Sequence, residues 1–270
     1  MAESLLEGKT AVVTGASRGI GRAAAIELAT LGAAVVVTGR TDAPRSDIAG
    51  TIGETVDWIR LQGGEAVPVK ADLLVQEDVD RLVETAVAHL GQVDILVNNA
   101  AYIGEAVFDS FWEMSRDDWR NMIELNLNVP WALTKAFSPL MRARGSGLIV
   151  NLSSSAAHVP DGAEMPLPRA GGLGAAYPTS KAALTQFTAH VGNELRAVGI
   201  TMVAIDPGFA RSESAEILAS RIGADPAWAQ PVEVAAKAIG FLATQDDPLT
   251  YAGRMLVARE IVDEHGLMPE

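Results

Sequence analysis

Short apolar runs alternate with longer amphipathic ones along the whole chain, and this alternation predicts strand followed by helix, repeatedly. Strands are predicted at Thr10–Thr14, Ala34–Thr38, Ala66–Lys70, Ile95–Asn98, Gly147–Leu152, Thr201–Ile205 and Met255–Val257. Helices are predicted at Ile20–Leu31, Ile48–Gln62, Asp78–Leu90, Asp117–Arg144, Tyr177–Val198 and Pro231–Ala243. Apolar runs of this kind suit strands buried on both faces, so the pattern predicts an α/β fold: a doubly wound parallel sheet of about seven strands with helices on both faces. One stretch breaks the rhythm. From Ala156 to Ala176 the chain carries Pro160, Pro166 and Pro168 and the glycines 171, 172 and 174, which predicts a loop long enough to serve a site or an interface.

Composition narrows this picture only a little. With 270 residues, 49% of them hydrophobic and no polar linker, the chain is expected to form one domain, residues 1–270, with a core at about 9–257. There is no cysteine, which excludes disulfides and thiolate metal sites and fits a cytoplasmic protein. No metal-ligand set is expected. Residues 1–8 hold Glu3 and Glu7 and lack the basic and apolar regions of a signal peptide, and no run is long enough to span a membrane. A net charge of −13 argues against a nucleic-acid surface. It does not exclude an anionic small molecule, since distant surface charges are screened within about 10 Å and local donors decide.

One such donor lies in a glycine-rich turn and another at the end of the second strand. The first strand runs into Gly15-Ala16-Ser17-Arg18-Gly19-Ile20-Gly21 and an apolar helix follows. Strand, glycine turn and helix together form a cradle for a dinucleotide pyrophosphate, because glycine admits close backbone approach and the helix start offers unpaired N–H groups. The spacing here is GxxxGxG. At the end of the second strand stands Thr38-Gly39-Arg40 rather than an acidic residue that would bind the ribose 2′-hydroxyl of NAD. Arg40 and Arg18 could instead form charge-assisted bonds to a 2′-phosphate, which favours NADP (NADPH) as the cofactor. Either arginine alone would read as a solvated surface residue.

Tyr177 and Lys181 stand four residues apart at a predicted helix start, which puts both heads on one helix face. Three tyrosines and five lysines in 270 residues would meet at this spacing about 0.06 times by chance. A free phenol, with a pKa of about 10, is a poor acid at neutral pH, and a close cation is expected to lower that value. Upstream, the strand Gly147–Leu152 feeds Ser153-Ser154-Ser155, placing hydroxyls at the carboxyl end of a parallel strand, where open sheets bind ligands. Taken alone, the Tyr–Lys pair could equally be a solvated surface pair.

The glycine turn, Asn98-Asn99-Ala100-Ala101, Asn126, the serine run and Tyr177-(x)3-Lys181 follow one another in an order that resembles the single-domain short-chain dehydrogenase/reductase family, over about Lys9 to Val257. The resemblance implies a Rossmann-like fold, an NAD(P)-dependent oxidoreductase interconverting a carbonyl and an alcohol, and a homo-oligomer, commonly a tetramer, with a dimer as the alternative. Tyr177 matches the catalytic acid/base and Lys181 the residue that lowers its pKa and holds the nicotinamide ribose. Ser154 matches the serine that hydrogen-bonds the substrate oxygen, with Ser153 and Ser155 as rivals. Asn126 matches the asparagine that anchors a water relay to the lysine, with Asn128 as rival. On the cofactor side, Gly15, Ser17, Arg18, Gly19, Ile20 and Gly21 form the turn, and Asp72 matches the residue that meets the adenine, though it could simply cap the next helix. Asn98 to Ala100, with Asn98 and Ala100 as its ends, match the turn lining the adenosine side, Asp206, Pro207 and Gly208 match the loop after the sixth strand, and Ser212 stands for the threonine that contacts the carboxamide.

Three departures localise what differs. Ala101 replaces a commoner glycine, the Ser154–Tyr177 spacing is about ten residues longer than usual, and Arg254–Glu260 lacks the usual Asp-Gly-Gly ending. The substrate pocket is expected from Tyr102, Ile103, the 156–176 insertion and Phe209–Ile222. The apolar Ile103, Phe209, Ile217 and Leu218 point to a hydrophobic ketone or alcohol, whereas His158, Glu164 and Arg169 read better as solvated loop residues. Together these readings predict an NADP-dependent carbonyl reductase. A dinucleotide-binding sensor without chemistry is the alternative from another class, and an NAD-dependent alcohol dehydrogenase the alternative within the same chemistry.

Overall fold

In the computed structural model, which describes residues 4–159, 167–168, 172–216 and 229–269, seven parallel strands form one sheet. They are β1 (Thr10–Val13), β2 (Ala34–Gly39), β3 (Ala66–Lys70), β4 (Ile95–Asn98), β5 (Gly147–Leu152), β6 (Ile200–Asp206) and β9 (Met255–Val257), in the order β3-β2-β1-β4-β5-β6-β9. A separate two-residue pairing, β7 (Ala210–Arg211) with β8 (Gln230–Pro231), fastens the chain that follows β6. Side chains alternate across the sheet, as the pleat requires. Ala11, Val13, Val35 and Val37 face one helical layer, while Val12, Val36, Leu96 and Ile149 face the other.

The helices are α1 (Gly19–Thr30), α2 (Ile52–Leu61), α3 (Gln76–Leu90), α4 (Arg116–Ile123), α5 (Val129–Arg144), α6 (Ala176–Arg196), α7 (Glu233–Ala243) and α8 (Ala258–His265). Helices α1, α2, α7 and α8 cover the first face and α3, α5 and α6 the second. Strand bounds match the sequence expectations to within one residue. Helix α2 starts four residues later than predicted, because Thr51 and Glu54 form a reciprocal capping box that fixes the start at Ile52. Helix α8 was not predicted; its Ile261 and Val262 complete the first core, and His265 stacks on Phe241 at a centroid distance of 4.2 Å.

The long helix predicted at Asp117–Arg144 is interrupted. Between α4 and α5 lies a π-helical turn, Glu124–Asn128, in which the Val129 N–H reaches the Glu124 carbonyl five residues back. Pro130 explains the widening: it has no N–H to return to the Asn126 carbonyl, so the ordinary ladder cannot continue. The described ends of the 156–176 insertion carry a short 3₁₀ turn at Ser155–Ala157 and an isolated bridge between Pro168 and Gly172. Its return is pinned where the Gly174 N–H donates to the Val107 carbonyl at 2.7 Å. Any Cβ on Gly174 would collide with the Asp109 carbonyl, so only glycine lets the two segments lie this close. Among the described residues no helix is long and apolar enough to cross a membrane.

Candidate active site

Strand ends gather the residues with chemistry. Beyond Leu152 the chain keeps its sheet register for one more bond, Ser153 N–H to the Ile205 carbonyl at 2.8 Å, and the three serines then diverge. Ser153 is buried, with its hydroxyl 2.6 Å from that of Thr185 and 3.3 Å from the Lys181 carbonyl. Ser155 is exposed. Ser154 is half-buried, accepts from the Ala156 N–H at 3.2 Å, and is the one of the three hydrogen-bonded to the Tyr177 hydroxyl.

Tyr177 and Lys181 project from the first turns of α6, with the ammonium 5.8 Å from the centre of the phenol ring. Lys181 is 3% exposed, and its ammonium donates to the Leu152 carbonyl at 2.6 Å. Burial pushes its pKa down to about 8, because an ammonium stripped of water is costly. Tyr177 retains some exposed surface, yet its hydroxyl is enclosed by protein. Burial pushes its pKa up to about 12, with the hydrogen bond from Ser154 opposing the shift and the Asp206 carboxylate reinforcing it. This corrects the expectation of a lowered phenol: burial raises it, and Tyr177 holds its proton throughout the neutral range.

Asn126, 1% exposed, sits in the π-helical turn. Its side-chain carbonyl accepts from the Tyr102 N–H at 2.8 Å, and its amide donates to the Ser180 hydroxyl at 3.0 Å. Ser180 in turn donates to the Tyr177 carbonyl at 2.7 Å, so the amide ties this turn to the start of α6. Its rival Asn128 is bonded instead to Glu124, one turn back on the surface. Tyr102 donates its hydroxyl to Asp118 at 2.7 Å and packs with Tyr177 around Val107, Met122 and Ala176.

The glycine turn opens a cleft beside this group. Gly15, Ser17, Arg18, Gly19 and Ile20 line it on the α1 side, Gly39 and Arg40 at the end of β2, and Ala71 and Asp72 beyond. Ala100, Ile103, Leu125, Ser212 and Ser214 line the facing wall. Gly21 lies buried under the turn, where any Cβ would collide with the Gly15 carbonyl and the Asn99 amide. Asn99, in the turn expected to line the adenosine side, donates to the Thr14 carbonyl at 2.8 Å and the Gly15 carbonyl at 3.2 Å, holding the glycine turn in shape. Asn98 points elsewhere: it is buried in the sheet and donates to Asn151 at 2.8 Å.

Other predicted residues are placed as follows. Arg40 is exposed at the cleft rim. Arg18 lays its guanidinium on the carbonyls of Ala49 and Gly50, each at 2.8 Å, and burial lowers its pKa against the opposing charge of Glu213. Asp72 accepts from the Leu74 N–H at 3.1 Å, a local turn that places no side-chain cap on α3, while its own N–H donates to Asp78 at 2.7 Å, at the far end of the cleft. Pro207 and Gly208 form the turn after β6, with the Gly208 N–H on Asp206 and the Pro207 carbonyl accepting from Gln230. His158 lies toward β9, its ring nitrogen 3.0 Å from the Met255 sulfur. Glu164, Arg169, Ile217 and Leu218 lie outside the described residues, as does the 217–222 part of the predicted 209–222 pocket wall.

A nicotinamide dinucleotide fits what is present: a turn that side chains would fill, a helix start aimed into the cleft, and a buried lysine beside a protonated phenol. The comparisons agree. A family model described as short chain dehydrogenase matches residues 9–222. The 3-oxoacyl-[acyl-carrier-protein] reductase of Synechocystis sp. is 34% identical over 247 residues, covering 88% of this chain and 90% of its own. The 7alpha-hydroxysteroid dehydrogenase of Escherichia coli is 35% identical over 204 residues, 75% of this chain and 71% of its own. A crystal structure of a metagenomic short-chain oxidoreductase in complex with NADP superposes with a TM-score of 0.74 at 31% identity, covering 94% of this chain and 97% of that one. The chain belongs to the short-chain dehydrogenase family, NAD(P)-dependent oxidoreductases that act on CH–OH groups.

The opposed shifts of Lys181 and Tyr177 make stability depend on pH. Between about pH 8 and 10 the folded chain has released the Lys181 proton while the unfolded chain still holds it, so stability should rise with pH in this window; above 10 the raised Tyr177 reverses the trend. Urea unfolding of wild type and Lys181→Met at pH 7.5 and 9.5 should show the wild type gaining about 2 kcal/mol relative to the variant. A relative loss would contradict the buried ammonium.

Proposed function

We propose that this protein is an NADP-dependent carbonyl reductase for a hydrophobic ketone or aldehyde, working in the cytoplasm. The observation that carries the reading is the enclosed Tyr177 hydroxyl, protonated at neutral pH, bonded by Ser154 and backed by the buried Lys181 ammonium. When bound, the reduced nicotinamide supplies a hydride to the carbonyl carbon. Ser154 and Tyr177 then act on the oxygen: both donate to it as negative charge grows there, and Tyr177 gives up its proton. A phenol with a pKa of about 12 suits that direction, since it stays protonated until an alkoxide of higher basicity develops. Lys181, with its pKa near 8, steadies the phenolate so formed and holds the proton nearest to restore it. Asn126 is assigned the anchoring of a water relay to Lys181; its amide already fixes the π-helical turn to α6.

The cofactor preference rests on Arg40 at the cleft rim and Arg18 at the helix start, with no acidic residue at the end of β2. Gly15, Ser17, Gly19, Ile20 and Gly21 are assigned to the pyrophosphate, Asp72 and Ala100 to the adenosine, and Pro207, Gly208 and Ser212 to the nicotinamide end. The hydrophobic substrate is supported by the apolar residues left open along the cleft and the insertion: Ile103 is 52% exposed, Leu167 74% and Val159 78%. A homo-oligomer, tetramer or dimer, is supported by Trp131, which α5 leaves 54% exposed.

Incubation with NADPH and a panel of carbonyls should consume NADPH with apolar ketones ahead of sugars. Tyr177→Phe should cut turnover at least a thousandfold, within the range for a positioned acid, while NADPH still binds. Binding without consumption in the wild type would favour a sensor. Arg40→Asp should shift the NADPH to NADH ratio of kcat/KM at least tenfold, about 1.4 kcal/mol; an unchanged ratio would remove Arg40 from the 2′-phosphate. Light scattering should return a mass of two or four chains, and a monomer would overturn the assembly.

A further inference from the structure

The Glu213 carboxylate accepts from the Gly19 N–H at 3.0 Å. Gly19 is the first residue of α1 and lines the cleft. A helix start of this kind directs its unpaired N–H groups and positive dipole end at an anion, which in a dinucleotide fold is the pyrophosphate. Here an anion belonging to the chain itself occupies one of those donors.

The contact is built rather than incidental. Ser212 caps a helical turn, its hydroxyl accepting from the Ala215 N–H at 3.2 Å and its carbonyl from the Glu216 N–H at 2.9 Å. That geometry puts Glu213 at the first position of the turn. The β7–β8 pairing at Ala210–Arg211 holds the preceding residues, and the Ser212 N–H closes on the Ala210 carbonyl at 2.9 Å. Any Cβ at Gly19 would sit 3.0 Å from the Ser212 Cβ, so the segment lies directly against the glycine turn. Arg18, beside Gly19, carries a guanidinium close enough for the Glu213 charge to support it.

We propose that Glu213 is an internal competitor for the dinucleotide: its carboxylate holds the pyrophosphate donor at Gly19 in the unloaded enzyme and must leave before the cofactor can be seated. This rests on the dinucleotide reading above. Two consequences follow from the competition. Apparent cofactor affinity is lowered by the fraction of molecules in which Glu213 is engaged. As a spent cofactor departs, the carboxylate recovers the N–H, so the helix start is never left without an acceptor and release is favoured.

The test is the dissociation constant, read by nicotinamide fluorescence, of NADPH and of NADH for wild type, Glu213→Ala and Glu213→Gln. Because the pyrophosphate is common to both cofactors, Glu213→Ala should tighten both by the same factor, about tenfold, with no change in their ratio. Glu213→Gln, which keeps size and loses charge, should tighten both by a smaller factor. Unchanged or weakened binding in both folded variants, or a gain confined to one cofactor, would overturn the competitor role while leaving the dinucleotide reading standing. A wild type that binds neither cofactor would overturn that reading, and this inference with it.

Discussion

A lysine ammonium taken out of water needs an acceptor, and here it has the Leu152 carbonyl, the last residue of β5. Around that bond the rest of the site is arranged. Ser153 crosses it in the opposite sense, placing its hydroxyl on the Lys181 carbonyl and on Thr185, so the strand end and the first turns of α6 are laced together from both sides. Deeper in the sheet, Asn98 donates to Asn151 and Asn151 to Thr188, a buried chain from β4 through β5 to the middle of the same helix. Buried polar groups of this kind are costly to leave unmatched. The helix can therefore occupy one register on the sheet, and that register delivers Tyr177 to Ser154.

Desolvation does two opposite things in one small volume. It raises the phenol and lowers the ammonium, inverting their ordinary order so that Tyr177 holds its proton more tightly than Lys181 does. The resting state keeps the proton on Tyr177, and Lys181 stands near its own midpoint at mildly alkaline pH. Asp206, at the end of β6, adds a negative charge that further resists ionisation of the phenol. A positive charge brought next to Tyr177 would act against both of the influences that raise it, burial and the Asp206 charge.

Most of the sheet could be read from the periodicity of Val- and Ile-rich runs, because strands buried on both faces have little freedom in composition. Tyr177, Lys181 and the glycine turn were legible for a different reason: each occupies a fixed offset from a predicted strand or helix end. What escaped was set by partners distant in sequence. Asn99 meets Thr14 and Gly15, more than 80 residues away, and Glu213 meets Gly19 from across the chain. The sign of the Tyr177 shift depends on enclosure by several segments, which no local motif records. The π-helical turn did leave a trace, Pro130 four residues after Asn126, but only its carbonyl accounting reveals it. Helix α8 lies where Arg254–Glu260 departs from the family's ending, and the amphipathic spacing of Ala258, Ile261 and Val262 is its one local signal.

The insertion enters from Ser154 and returns through Gly174, and both ends are clamped: the first by the Ser154–Tyr177 and Ser154–Ala156 bonds, the second by Gly174 lying on the Val107–Asp109 backbone. A segment fixed at both feet transmits little of its own shape to what lies below. The residues between those feet can then be lengthened, shortened or exchanged without moving the phenol. If the insertion lines the pocket as proposed, cassette replacement there would retarget the enzyme, provided that the glycine at the second foot stays.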